Sequence, residues 1–281
     1  MGYPFENRQQ AEVPATPDEV WAAIATGPGI DSWFMGRSDV QPATGGAGVT
    51  DAAGATDAAG ATDAAGGAGA AGGTGGTGGT VRTVFGEYAP ELDVTAWDPA
   101  RRFAYRSGEA PDGRFIAYEF LIEGRAGGST VLRTVTSGFL PGDDWADEFE
   151  AMTLGGEMYF RTLVEYLTYF AGRFAAPVTA FGPSGTTWAR DRTMLYQALG
   201  LPQNAGRGDR VSVAAGEIGP LDGVVYFANA HTIGIRTPDA LYRFLRGFGK
   251  PLMAAHELFG ADADPDRAQR AWEAWLRHAL A

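Results

Sequence analysis

The residues that could do chemistry in this chain are few and badly placed for it. Its three histidines, His231, His256 and His278, all fall in the C-terminal part and form neither H-E-x-x-H nor any close pair. With no Cys present, a metal would have to recruit His and carboxylates from distant segments, so neither a metal site nor a cofactor is expected. His256 stands beside Glu257 on an expected strand, where neighbouring side chains point to opposite faces, so one should face inward and the other outward. Asp143, Asp144, Asp147, Glu148 and Glu150 cluster at the expected start of a long helix. Carboxylates there favour the positive end of the helix dipole, which reads as capping and solvation, a functional acid at a pocket mouth being the sharper alternative. Ser184 lies in Gly-Pro-Ser-Gly rather than G-x-S-x-G, which gives no support to a serine hydrolase. Gly67 to Gly72 matches G-x-G-x-x-G inside a Gly/Ala tract with no strand before it and no helix after it, so it is not a dinucleotide site. No catalytic residue is assigned.

The elements that would have to position any site are better marked. Thr16 and Glu19 form an S/T-x-x-E capping box, with Pro17 at the first helical position and Val20, Trp21 and Ile24 on one apolar face. Ser32-Trp33-Phe34 follows as an aromatic stop. From 44 to 80 the chain turns to repeats of Thr-Asp-Ala-Ala-Gly-Ala and then Gly-Gly-Thr, with no aromatic or basic residue. Such a segment buries too little apolar surface to offset its ordering entropy, so it is expected to be a disordered insert in a hairpin loop, with a lid over a pocket as the alternative. Five short β-rich runs follow at 81–85, 92–97, 102–107, 114–123 and 129–137, separated by Asp98-Pro99, Pro111-Asp112-Gly113 and Gly127-Gly128, the turn chemistry of an antiparallel meander. Ile116, Tyr118, Phe120 and Ile122 alternate with Ala117, Glu119, Leu121 and Glu123, which puts the first set inside and Glu119 outside, with Leu121 an imperfect fit. A long helix is expected from about 145 to 173, with Phe149, Met152, Phe160, Leu163, Val164, Leu167 and Phe170 on one stripe. Gly155-Gly156 interrupts that stripe and marks either a kink or volume left vacant.

Composition bounds the setting. The chain has 281 residues, 45% of them hydrophobic, enough for one large core or two modest ones. A net charge of −12 repels a phosphate backbone, so nucleic acid and anionic membrane are not expected as partners. The N-terminal residues lack the basic start and apolar run of a signal peptide, and no stretch is long enough to span a bilayer; a cytoplasmic protein is expected. Of the 22 basic residues only Lys250 is a lysine, which with abundant Ala and Gly suggests a GC-rich bacterial genome.

Taken in order, Val13-Pro14-Ala15-Thr16-Pro17-Asp18-Glu19-Val20-Trp21, Ser32-Trp33-Phe34, the run from Asp93 through Trp97-Asp98-Pro99 to Tyr105, and Ser129-Thr130-Val131-Leu132 leading to Ser137-Gly138-Phe139 resemble the SRPBCC, or START-like, superfamily. Within it they are most similar to the group named after the C-terminal domain of the activator of the heat shock protein 90 ATPase. The resemblance covers residues 1–175 apart from the insert. It implies an α+β helix-grip fold, a curved antiparallel sheet wrapped around a long C-terminal helix with a mainly apolar cavity between them. The chain departs from the pattern where the long helix usually carries Gly-Trp and here carries Gly155-Gly156. Replacing an indole with nothing enlarges the space, unless Trp145 or a C-terminal aromatic refills it.

Residues 176–185 read as a linker and 186–281 as a smaller α+β domain. There a helix over Trp188 to Leu199, five strands and a final helix opened by Asp264-Pro265 repeat the order of the first unit without its opening strand. A diverged second helix-grip unit is the suggestion, an unrelated extension the alternative. The functional expectation is a non-catalytic protein that binds an apolar or aromatic small molecule between sheet and long helix. The candidate lining is Trp33, Phe34, Trp97, Tyr105, Tyr118, Phe120, Thr134, Thr136, Met152, Gly156, Tyr159, Phe160 and Leu163. A polyketide cyclase or hydratase is one alternative, with a pocket Tyr or Glu119 as acid or base, and the outward parity of Glu119 argues against it. A partner-binding module akin to the co-chaperone rests on the family resemblance alone.

Overall fold

The computed structural model describes residues 2–42, 78–84, 89–142, 145–214, 216–246, 251–261 and 263–281. Strand β1 (Tyr3–Val13) runs into helix α1 (Pro17–Ala25) through the expected capping box. The Thr16 amide donates to Glu19 Oε2 at 2.8 Å and the Glu19 amide donates to Thr16 Oγ1 at 3.3 Å, so two otherwise orphaned donors are satisfied. Val20, Trp21 and Ile24 are buried. A single turn, α2 (Gly27–Ile30), follows, and the Trp33 indole N–H donates to the Ala23 carbonyl at 2.9 Å, tying the aromatic stop to the end of α1.

Strands β2 (Arg37–Gln41), β3 (Thr80–Val84), β4 (Glu91–Asp98), β5 (Arg102–Arg106), β6 (Phe115–Gly124) and β7 (Thr130–Leu140) form a meander that closes on β1. The seven-stranded antiparallel sheet has the order β1-β7-β6-β5-β4-β3-β2. Most of the insert expected at 44–80 lies outside the described residues. Its last three residues already pair with β4 or open β3: the Gly78 amide donates to the Val94 carbonyl, the Val94 amide donates to the Gly79 carbonyl at 2.8 Å, and Thr80 opens β3. Burial alternates along β1 and β4, so one face of the sheet is packed and the other wet.

Helix α3 (Trp145–Tyr169) lies along the packed face, touching β1, β7 and α1. It ends four residues before the expected limit, where the Arg173 amide turns back to the Phe170 carbonyl and Gly172 takes φ 77°. The helix is continuous through Gly155-Gly156. Sheet and helix together are the helix-grip architecture.

The second half repeats this plan. Residues 176–185, expected as a linker, contain strand β8 (Ala176–Phe181), followed by α4 (Trp188–Ala198), β9 (Arg210–Ala214), β10 (Pro220–Ala228), β11 (Thr232–Arg236), β12 (Ala240–Leu245), β13 (Met253–Leu258) and α5 (Pro265–Ala279). The six-stranded order β8-β13-β12-β11-β10-β9 pairs the first strand with the last, as β1 pairs with β7. The opening strand that the sequence reading leaves out is therefore present. It was masked by its brevity and by Pro177, which sits at the edge of the sheet, where a missing amide is tolerated.

The two units share α3. One side of the helix meets the first sheet and the other meets β10 and β11. Phe259 stacks on Phe170 with ring centroids 4.2 Å apart, Thr162 Oγ1 and the Tyr226 hydroxyl are 2.9 Å apart, and Arg236 Nε donates to Glu165 at 2.7 Å. The second sheet is thus covered on both faces, by α3 on one and α5 on the other. This corrects the expectation for His256 and Glu257. They do point to opposite faces, but both are buried, His256 among the rings of Tyr242, Phe244 and Trp272, and Glu257 against Arg243. No helix among the described residues is long and apolar enough to cross a membrane.

Candidate functional site

Cross-strand register assembles the inner face of the first sheet into rows. Asn7 is opposite Thr136, Thr136 opposite Tyr118, and Tyr118 opposite Tyr105, so four strands place two polar and two phenolic side chains at one level. The next level reads Gln9, Thr134, Phe120 and Phe103. Facing these rows, Met152, Gly156 and Tyr159 follow one another on α3 at helical spacing. A Cβ placed on Gly155 or Gly156 would meet no atom within 4 Å. Beside Gly156 a small pocket, lined by Phe5, Asn7, Gln9, Thr136, Met152 and Thr153, has room for about one water molecule.

The phenols lie deep. Burial pushes Tyr105 and Tyr159 well above the ordinary tyrosine range, and the neighbouring Tyr118 pushes both the same way, while Arg243 opposes the shift at Tyr159. Both residues nevertheless keep part of their surface accessible. The space between the sheet and α3, with the half-buried rings of Phe34, Tyr105, Tyr118 and Tyr159 and the small pocket beside Gly156, is a narrow hollow. Its rings are in contact: Tyr105 and Tyr118 have centroids 5.3 Å apart, and Phe34 and Tyr159 are 4.2 Å apart.

The thirteen candidates divide. Phe34, Tyr105, Tyr118, Thr134, Thr136, Met152, Gly156 and Tyr159 are half-buried, and of these Thr136, Met152 and Gly156 line the small pocket. Trp33, Trp97, Phe120, Phe160 and Leu163 are packed into the core instead. Trp97 has its ring 5.1 Å from Trp21 and 5.3 Å from Phe103, which fixes it below the hollow rather than in it. Side-chain parity put these residues on the correct face, but depth along the strand decides which of them meets space and which meets a neighbour. The side chain of Trp145 lies outside the described residues.

Asn7, Gln9, Phe5 and Thr153 were missed. The alternation from Phe5 to Val13 carries the signal for the first two, since both fall at inward parity on β1. The second unit contributes a group that no local pattern announces. Arg243 of β12 and Glu257 of β13 form a fully buried ion pair on the α3 side of their sheet. Arg243 also donates through Nη2 to the Phe34 carbonyl at 3.1 Å and lies 5.6 Å from the centre of the Tyr159 ring. Burial pushes Glu257 up to about 8 against the pull of Arg243. Arg243 Nε, Glu257 Oε2 and the Tyr159 hydroxyl have no hydrogen-bond partner among the described residues.

The groups considered for chemistry are engaged elsewhere. Glu119 points away from the hollow and pairs with Arg102 at 2.6 Å. Glu148, from the acidic cluster, pairs with Arg114. His256 is buried on the α5 side of the second sheet, where desolvation lowers it to about 3 and keeps the imidazole neutral. Among the described residues no three His, Asp or Glu are grouped to hold a metal ion.

No family model matches the chain, and no curated protein matches it. Solved structures do. Protein MLL2253 from Mesorhizobium loti is 17% identical, with 58% of this chain and 96% of that one covered and a TM-score of 0.40. DynU16, described as a putative protein in the dynemicin biosynthetic locus, is 17% identical over 98% of this chain and 95% of its own, at a TM-score of 0.38. The Aha1 dimer from Colwellia psychrerythraea is 17% identical, covering 60% of this chain and 99% of that one, at 0.38.

Proposed function

We propose that this protein is a two-unit member of the SRPBCC superfamily that binds an apolar or aromatic small molecule between the first sheet and α3, as a binding protein rather than an enzyme. The observation that carries the reading is the hollow beside Gly156, where half-buried phenols keep accessible surface and a Cβ added to the helix would meet no atom within 4 Å outside its own backbone surroundings. A mainly apolar wall with a few oriented polar groups, here Asn7, Thr134, Thr136 and the phenols, is the general composition of a small-molecule site. The outward pairing of Glu119 with Arg102 favours binding over acid–base chemistry, because a general acid must reach the ligand.

Titration with 1-anilinonaphthalene-8-sulfonate tests this. The native protein is expected to show saturable fluorescence enhancement, and Gly156→Trp, which fills the space opposite Thr136, is expected to weaken it at least tenfold while the far-ultraviolet circular dichroism stays unchanged. Binding that is absent in the native protein, or unaltered by Gly156→Trp, would sink the reading. Native mass spectrometry of the purified protein would identify a co-purifying ligand directly.

A further inference from the structure

The hollow is not uniformly apolar: α3 carries two hydroxyls, those of Thr153 and Tyr159, with no partner among the described residues. Tyr159 projects from the same helical face as Gly156, three residues on, and its hydroxyl has no partner among the described residues. Behind it stands Arg243, a guanidinium with no exposed surface. Glu257, the Phe34 carbonyl and the Met158 sulfur take its two Nη groups, while Nε stays unpaired. Glu257 offsets part of the positive charge, yet the influence of Arg243 on the Tyr159 phenol exceeds that of Glu257. A buried donor without an acceptor is a standing cost that an incoming acceptor oxygen relieves, and the relief is larger when the oxygen is charged. The rings of Phe34, Tyr105, Tyr118 and Tyr159 meanwhile supply flat apolar walls.

We propose that Tyr159, backed by Arg243 of the second unit, is a specificity-determining residue that selects flat, apolar ligands carrying an anionic oxygen, a carboxylate, phenolate or enolate, over neutral ligands of the same shape. This rests on the hollow being a ligand site. It assigns the second unit a part in recognition: that unit supplies Arg243, whose guanidinium carbon lies 5.6 Å from the centre of the Tyr159 ring.

The test is a matched pair of probes, 2-naphthoate and 2-naphthalenemethanol, titrated by fluorescence into the native protein and into Tyr159→Phe. The native protein is expected to bind the carboxylate at least tenfold more tightly than the alcohol. Tyr159→Phe is expected to cut that preference to about threefold or less while leaving the thermal midpoint unlowered, since the lost hydroxyl had no partner. Equal binding of both probes by the native protein, or a preference that survives Tyr159→Phe, overturns the inference and leaves the hollow standing. Binding of neither probe overturns the hollow as a ligand site, and this inference with it.

Discussion

The two halves of the chain follow one topology and treat its interior in opposite ways. In each, the first strand pairs with the last, a helix crosses to the far edge, and a meander leads back to a C-terminal helix. The first sheet is wet on its outer face and keeps a small pocket inside, because α3 presents Gly156 beside Thr136. The second is buried along almost the whole of β11, β12 and β13. Its helix α5 presents Trp272 and Trp275, whose rings meet each other, Phe244, and in the case of Trp272 also Tyr242 and His256. The same grip can therefore hold a space or fill it, and the choice lies in a few residues on one helix. Where the indoles of Trp272 and Trp275 fill it, the interior is packed ring on ring; where Gly156 stands, a space of about one water molecule remains.

Three measurements would break or sharpen that contrast. The largest effect is expected at the filled grip. Trp272→Ala removes a side chain that is 3% exposed and should destabilise the protein by about 3–5 kcal/mol in urea denaturation. A loss below about 1 kcal/mol would mean the second interior is not solidly packed. Next comes pH. His256 has its folded pKa depressed to about 3 from 6.5, so the unfolded chain takes up a proton that the folded chain refuses. Stability from this group is complete above about pH 6.5 and should fall on acidification toward pH 3, by about 1.4 kcal/mol per pH unit. His256→Leu should flatten that slope, and an unchanged slope would show that the imidazole is not the group responsible. The smallest effect belongs to the open grip: Gly156→Ala adds a methyl that meets nothing within 4 Å and should raise stability by about 1 kcal/mol through helix propensity. Destabilisation would place atoms where the hollow is drawn.

Much of this could be read before folding the chain. The capping box at Thr16 and Glu19, the alternation of Tyr118, Phe120 and Ile122, and the glycine interruption of α3 are local patterns with local causes, and each takes the form its pattern implies. The candidate site was legible in part. Parity placed its residues on the inner face, yet could not tell Trp97, wedged between Trp21 and Phe103, from Tyr105, which keeps accessible surface. Strand β8 was lost because Ala176–Phe181 is short, holds a proline and borders a turn, and only pairing with β13 makes it a strand.

By itself, then, the sequence determined the order and kind of most elements, the face each presents, and the absence of bulk at Gly155-Gly156. These follow from periodicity, capping and turn chemistry, which act over a few residues. The tertiary structure alone decided that the second sheet would be buried on both faces, that His256 and Glu257 would therefore both lose water, and that Arg243 would come to lie behind Tyr159. Those outcomes depend on docking two units across a shared helix, through contacts such as Thr162–Tyr226 and Phe34–Arg243 that are 64 and 209 positions apart in the chain, and no short-range pattern encodes which surface a folded unit will meet.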